Sequence, residues 1–168
     1  WNLVFMEFEL HPDRTLTPLP TQNVDTGMGL ERVAAIMQGV RSVYETDGYQ
    51  EIMRWIAAES GIAYGDSPAA TKAHRILADH GRGMTFLVGD GVTPSNEGRG
   101  YVLRRIIRRA VQQAQRIGLH DVHRLSAVVV EQMGEAYPEL PPQSDEIGSI
   151  LRLEEERFLE TLERGLKL

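Results

Sequence analysis

Two clusters of residues in this sequence have the types and spacing to do chemistry. The first, Asp25-Thr26-Gly27-Met28-Gly29-Leu30-Glu31-Arg32, passes straight into the apolar-periodic Val33, Ile36, Met37 and Val40. A strand that turns through glycines into a helix exposes the first backbone N–H groups of that helix, and with the helix dipole these make an anion site. Gly27 and Gly29 permit close backbone approach to a ligand. Arg32, one turn inside, can meet a phosphate with bidentate hydrogen bonds, and Asp25 at the strand end can hold an ammonium group. A plainer reading stays open beside this one: the glycines serve the turn, and Arg32 pairs with Glu31 or another surface acid.

The second cluster lies in residues 94–118. Ser95 is a good N-cap, and Val102, Leu103, Ile106, Ile107, Ala110, Val111, Ala114 and Ile117 recur at the 3/4 spacing of one helical face, expected in the core. Arg104, Arg105, Arg108 and Arg109 flank that stripe, with Arg99 before and Arg116 after, and no acidic residue interrupts residues 98–120. Such a helix suits phosphates and base edges. It equally suits a solvated face with ion pairs to neighbouring helices. His74 and His80 do not stand at metal-ligand spacing with any carboxylate cluster, and Asp79-His80 reads as a local hydrogen-bonded pair, so no metal site is expected.

The elements that must position these clusters are mostly helices. Residues 1–10 are aromatic and β-preferring without helical period; His11-Pro12-Asp13-Arg14, followed by Pro18 and Pro20, marks a loop, and a second short strand is expected near residues 22–25. These strands would be antiparallel neighbours, and two strands need further strands or covering helices. A helix over residues 47–61 carries Ile52, Trp55 and Ile56 inward. Another starts at Asp66-Ser67-Pro68, with a kink or break expected at Gly81, Gly83 and Gly89. Residues 121–137 form a further helix with Leu125, Val128, Val129 and Met133 inward. From Ser144 the last helix carries Ile147, Ile150, Leu151, Phe158, Leu162 and Leu166, with Arg152–Glu156, Glu160–Arg164 and Glu163–Lys167 pairs and a solvated acid run at Glu154 to Glu156. The fold class is mainly α, with antiparallel β strands at the N-terminus.

Composition narrows the functions. The 168 residues are 42% hydrophobic, enough for a sizeable core, and the net charge of −6 argues against a protein that coats nucleic acid indiscriminately. Any nucleic-acid contact must come from a local patch. Cysteine is absent, which excludes disulfides and thiolate metal sites. No signal peptide or apolar run of membrane-spanning length appears, so a soluble, cytoplasmic protein without membrane contact is expected. The chain opens on Trp1-Asn2-Leu3-Val4-Phe5-Met6, already strand-like, and closes inside a helical pattern, and so reads as a piece of something longer.

Asp25-Thr26-Gly27-Met28-Gly29-Leu30-Glu31-Arg32 resembles motif 3 of class II aminoacyl-tRNA synthetases, in the form used by alanyl-tRNA synthetases. Trp1 to Met6, Asp90-Gly91-Val92-Thr93-Pro94-Ser95-Asn96-Glu97, and Gly100 through Arg109 are similar to that family in the same order, and Glu163-Arg164-Gly165-Leu166 less distinctively so. The resemblance implies two parts: residues 1–45 as the end of the aminoacylation domain, and residues 46–168 as a helical domain that recognises the tRNA acceptor stem, including its wobble G·U pair. It further implies that Asp25 holds the amino group of alanine, Gly27 borders its pocket, Asn2 and Val4 line that pocket, and Arg32 with Gly29 contacts ATP, whose usual counter-ion is Mg²⁺. For tRNA(Ala), Asn96 is the first choice for a base edge and Arg108 the next, with Arg99, Arg104 and Arg105 on phosphates.

Motifs 1 and 2 of a complete class II active site are not found in these residues, and no catalytic residue is assigned. The polypeptide alone is therefore expected not to activate alanine, and the remainder of a synthetase chain is an expected partner. Two functions stand beside each other. One is a section of an ATP-dependent ligase that forms alanyl-adenylate and esterifies alanine to tRNA. The other is a non-catalytic helical RNA-binding module or structural remnant. A third, a small nucleotide-binding protein using Gly27 to Arg32, would require tight ATP binding by this chain itself.

Overall fold

The structure, a computed structural model, describes residues 2–166, and side chains through residue 165. Trp1, the Glu163–Lys167 pair and the side chain of Leu166 thus lie outside the described residues. The chain divides into two compact units, Trp1–Thr46 and Asp47–Leu168.

In the first unit, β1 (Asn2–Leu10) and β2 (Leu16–Gly27) pair antiparallel. Their turn is closed by His11 N donating to Thr15 O at 2.9 Å, and by Asp13 Oδ1, which accepts from the Thr15 amide at 3.0 Å and its hydroxyl at 2.7 Å. These two bonds hold the Asp13 carboxyl below its ordinary range, the hydroxyl contributing most. β2 is much longer than the short strand expected near residues 22–25, and it includes Pro18 and Pro20. In a two-stranded ribbon each strand keeps one edge with no partner, where a missing N–H removes no ladder bond. The register shifts between Met6↔Asn23 and Phe8↔Pro18, so residues 19–22 of β2 stand opposite Glu7 alone.

Met28 and Gly29 link β2 to α1 (Leu30–Met37), and a 3-10 turn (Val43–Glu45) follows. Of the apolar-periodic residues of α1, Ile36 is 79% and Met37 82% exposed. Only Ala35 of this helix is buried.

The second unit contains α2 (Asp47–Ser60), α3 (Pro68–Gly89), α4 (Gly98–Arg116), α5 (Leu125–Met133) and α6 (Ser144–Leu166), with 3-10 turns at Val122–Arg124 and Pro141–Gln143. α3 packs on α2, α4, α5 and α6 and is the centre of the unit. Its start follows the sequence: Ser67 Oγ accepts from Ala70 N at 3.1 Å, and Pro68 occupies the first turn. Ile52, Ile56, Leu77, Met84, Leu103, Ile107, Leu125, Ile147 and Leu151 close the core. Trp55, expected inside, is half-buried with the Arg124 guanidinium 6.0 Å from its ring.

Three expectations fail here for physical reasons. α3 runs unbroken through Gly81 and Gly83. A Cβ at Gly81 would sit 2.9 Å from Cγ of the fully buried Leu125, so this glycine lets α5 approach closely rather than breaking the helix. The segment after Asp121 begins as a 3-10 turn, and the α-helix starts only at Leu125, ending at Met133. Finally, the acid run on α6 is no solvated face: Glu154 and Glu155 are buried. Glu155 accepts from the amides of Val122 at 2.8 Å and His123 at 3.0 Å, and lies 2.9 Å from His123 Nδ1. It therefore caps the 3-10 turn from a different helix.

Candidate functional site

The first candidate site belongs to the first unit alone. Residues directly opposite in an antiparallel pair project to the same face, and alternate residues along a strand share it. The register pairs Asn2 with Gly27 and Val4 with Asp25, so all four expected amino-acid contacts lie on one face of the ribbon. Gly27 is shaped by that arrangement, since a Cβ there would run into the Asn2 side-chain oxygen. Asn2 thus lies over the backbone at the point where the chain leaves the sheet.

Three residues later α1 begins. Gly29 occupies its N-cap position with no side-chain cap, and its carbonyl accepts from Val33 N at 3.0 Å. The first amides of the helix receive no side-chain cap, the arrangement that favours an anion. Arg32 is exposed and has no hydrogen bond or ion pair among the described residues, so pairing with Glu31 does not hold it. This geometry provides a carboxylate and a side-chain amide on one face, followed by helix amides and a guanidinium. It suits a ligand that carries an ammonium group together with phosphates.

The second candidate site belongs to the second unit. α4 begins at Gly98, not at a Ser95 cap: Ser95 Oγ donates to Glu97 O at 2.8 Å and accepts from Glu97 N at 3.4 Å, a local turn that consumes the hydroxyl. Within the stripe, Leu103, Ile107, Ala110, Val111, Ala114 and Ile117 are buried, whereas Val102 is 52% exposed and Ile106 half-buried.

The arginines separate by helical face. Arg104 and Arg108 turn toward α6, where Arg108 Nε donates to the buried Glu154 Oε1 at 2.9 Å. Arg104 Nε lies 3.2 Å from the same oxygen without hydrogen-bond alignment. Arg108 also stands 5.3 Å from the Phe158 ring. These two side chains, expected to meet phosphates or a base, are largely committed inside the protein; the ion pair to a neighbouring helix, left open on sequence grounds, is what forms. Arg99 and Arg105 are exposed. Asn96 is exposed too, and its Oδ1 accepts from Arg104 Nη1. That leaves Asn96 both Nδ2 hydrogens and one Oδ1 lone pair for a ligand.

Sequence reading missed Glu154, because its partners lie 46 and 50 residues away and no local spacing marks it. His80 Nδ1 lies 2.9 Å from Asp79 Oδ2, as the dipeptide suggested. His74 is buried, with Nδ1 2.9 Å from Ala70 O. Among the described residues no group of three His, Asp or Glu side chains is placed to hold a metal ion, and no helix is long and apolar enough to cross a membrane.

Comparison with known proteins adds relatives to this geometry. The family model for class II (A) tRNA synthetases matches residues 1–168. The chain is 54% identical to the alanine–tRNA ligase of Acidithiobacillus ferridurans over 170 aligned positions, covering 100% of this chain and 19% of the relative. Its identity to the alanine–tRNA ligases of Cereibacter sphaeroides and Hydrogenovibrio crunogenus is 52% and 51%, with the same coverage. The chain thus spans about a fifth of the length of these curated relatives.

Proposed function

The chain belongs to the class II tRNA synthetases, and from that premise we propose that it is a section of an alanine–tRNA ligase. The parent enzyme would activate alanine with ATP and transfer it to tRNA(Ala), in the cytoplasm. Residues 1–45 would supply motif 3: Asp25 seats the alanine ammonium, Asn2, Val4 and Gly27 shape a small pocket, and Gly29 and Arg32 receive the ATP phosphates with their Mg²⁺. Charge placement of this kind positions a phosphate for attack, which is most of what adenylate formation needs from a protein.

The observation that carries the reading is the register of the ribbon. Asn2, Val4, Asp25 and Gly27 share one face, and the uncapped helix with its unpaired Arg32 follows within five residues of Gly27. Residues 46–168 would read the acceptor stem, with Asn96 against a base edge of the G·U pair and Arg99 and Arg105 on phosphates. Arg104 would then orient Asn96 and, with Arg108, brace α4 against α6.

The test is binding to two acceptor-stem hairpins that differ only in the third base pair, G·U or G·C, across a salt series. We expect a preference for G·U that Asn96→Ala abolishes. Equal binding to both hairpins would remove Asn96 from base recognition in this chain. ATP–pyrophosphate exchange by the pure chain is expected at background; exchange above background would show that it activates alanine without further residues. A second reading, a non-catalytic RNA-binding module, is favoured by the closed core of the second unit. It would be supported if the hairpins bind while neither alanine nor ATP does.

A further inference from the structure

Between α3 and α4 runs a groove of about 490 Å³ whose polar lining is basic and amide, without a carboxylate. α4 contributes Arg108 and Gln113, beside Phe158 of α6, and a further four: Arg105, Arg109, Gln112 and Arg116. These four stand at i, i+4, i+7 and i+11, so they form one stripe along the helix. At 1.5 Å per residue the stripe extends about 16 Å from Arg105 to Arg116. α3 contributes Lys72 and Ile76, one turn apart on the opposite wall.

Four of the five charged members of this groove differ from the rest of the arginine set. Lys72, Arg105, Arg109 and Arg116 are exposed and have no ion-pair partner among the described residues. Arg104 and Arg108, one position back on the helix, are held by Glu154. In a chain of net charge −6, four unneutralised cations along one seam are an exception. Such a row costs stability through self-repulsion unless a polyanion lies along it. The exposed Gln112 on the same stripe adds hydrogen-bond donors between Arg109 and Arg116.

We infer that the α3/α4 groove is the track for an RNA phosphate backbone, with Lys72 and Arg116 gripping its far end and Arg105 and Arg109 its near end. The inference rests on the reading of the second unit as an acceptor-stem binder. It goes beyond it by adding Arg109 and Arg116 of α4 to the phosphate contacts, together with a second wall, Lys72 on α3. The groove gives affinity and register but no base reading, since guanidinium and ammonium groups on phosphates carry no sequence information.

The experiment compares the whole chain with Lys72→Gln/Arg116→Gln, using fluorescence anisotropy of the G·U and G·C hairpins from 50 to 300 mM salt. Each phosphate contact contributes about 0.7–0.9 to the slope of log K against log salt, so the double variant is expected to bind more weakly with a slope shallower by about 1.5. The loss is expected to be equal for both hairpins. An Arg54→Gln/Arg152→Gln control removes the same net charge from exposed arginines on α2 and α6 and is expected to leave the slope unchanged. Both pairs are solvent-exposed, and matching thermal midpoints check that they remain folded. If the parent chain binds and the Lys72/Arg116 variant keeps its affinity and slope, the groove inference is overturned while the acceptor-stem reading stands. A control variant that loses as much slope as the groove variant overturns it equally, because the effect is then net charge. If the parent chain binds neither hairpin at 50 mM salt, the acceptor-stem reading fails and takes the groove with it.

Discussion

The two units obey the same patterning rules and end in opposite states. In the helical unit Leu77, Leu103, Ile107 and Leu125 are sealed from solvent, whereas in the ribbon unit Phe5 is 66% and Leu10 68% exposed, and Met37 of α1 more so. Side chains on both faces of β1 stay in contact with water. Periodicity tells which side chains share a face; it does not tell whether anything covers that face. The helical unit is held by burial, and the ribbon by its ladder of paired strands and its turn.

The comparison is sharpest in the cores. Leu103→Ala should cost about 2–5 kcal/mol in urea unfolding of the second unit, because the site is completely enclosed. Phe5→Ala should change stability by no more than about 0.5 kcal/mol. An equal cost for both would show that the ribbon has a core of its own and would end the contrast. Next in size, Glu155→Gln removes the charge that two amides and an imidazole share, and is expected to cost about 1.5–3 kcal/mol. Hydrogen exchange at Val122 and His123 should accelerate before the rest of the unit responds.

Two glycines of α3 should then move in opposite directions. Gly81→Ala places a methyl against Leu125 and is expected to destabilise by about 1–3 kcal/mol despite its better helix propensity. Gly83→Ala meets nothing within 4 Å and should stabilise by up to about 1 kcal/mol. Thermal unfolding of the pair reads the sign directly. The smallest effect lies in the ribbon's turn. Asp13 is held below its ordinary pKa chiefly by the Thr15 hydroxyl, so its contribution is present above the ordinary carboxylate value and is lost as pH falls through the lowered one. In Thr15→Val, NMR titration should find Asp13 closer to the ordinary value, and the turn should lose its acid sensitivity over that narrow window.

What the sequence made legible was local. The Ser67-Pro68 start of α3, the start of α2, the buried stripe of α4 and the Arg152–Glu156 and Glu160–Arg164 pairs of α6 follow from spacings of four residues or fewer. Asn2, Val4, Asp25 and Gly27 were grouped by the family resemblance alone; that they share a face follows from a hairpin register that residue types did not give. What stayed hidden depends on distant partners. Pro18 and Pro20 read as loop because local propensity ignores that an edge has no ladder to break. Gly81 read as a break because Leu125, which occupies its missing side chain, comes 44 residues later. Glu154 and Glu155 read as solvated because their cationic and amide partners lie on other elements.

Arg104 joins a buried acid to an exposed loop. One end of its guanidinium rests beside a buried carboxylate on α6 while the other holds Asn96, in the exposed loop before α4. A loop asparagine ordinarily samples several rotamers and gives them up on meeting a ligand, at about 0.5–1.5 kcal/mol per immobilised side chain. Here that ordering is completed during folding. Asn96 therefore presents a fixed direction to whatever approaches it, and its aim is set by a helix about sixty residues further along the chain.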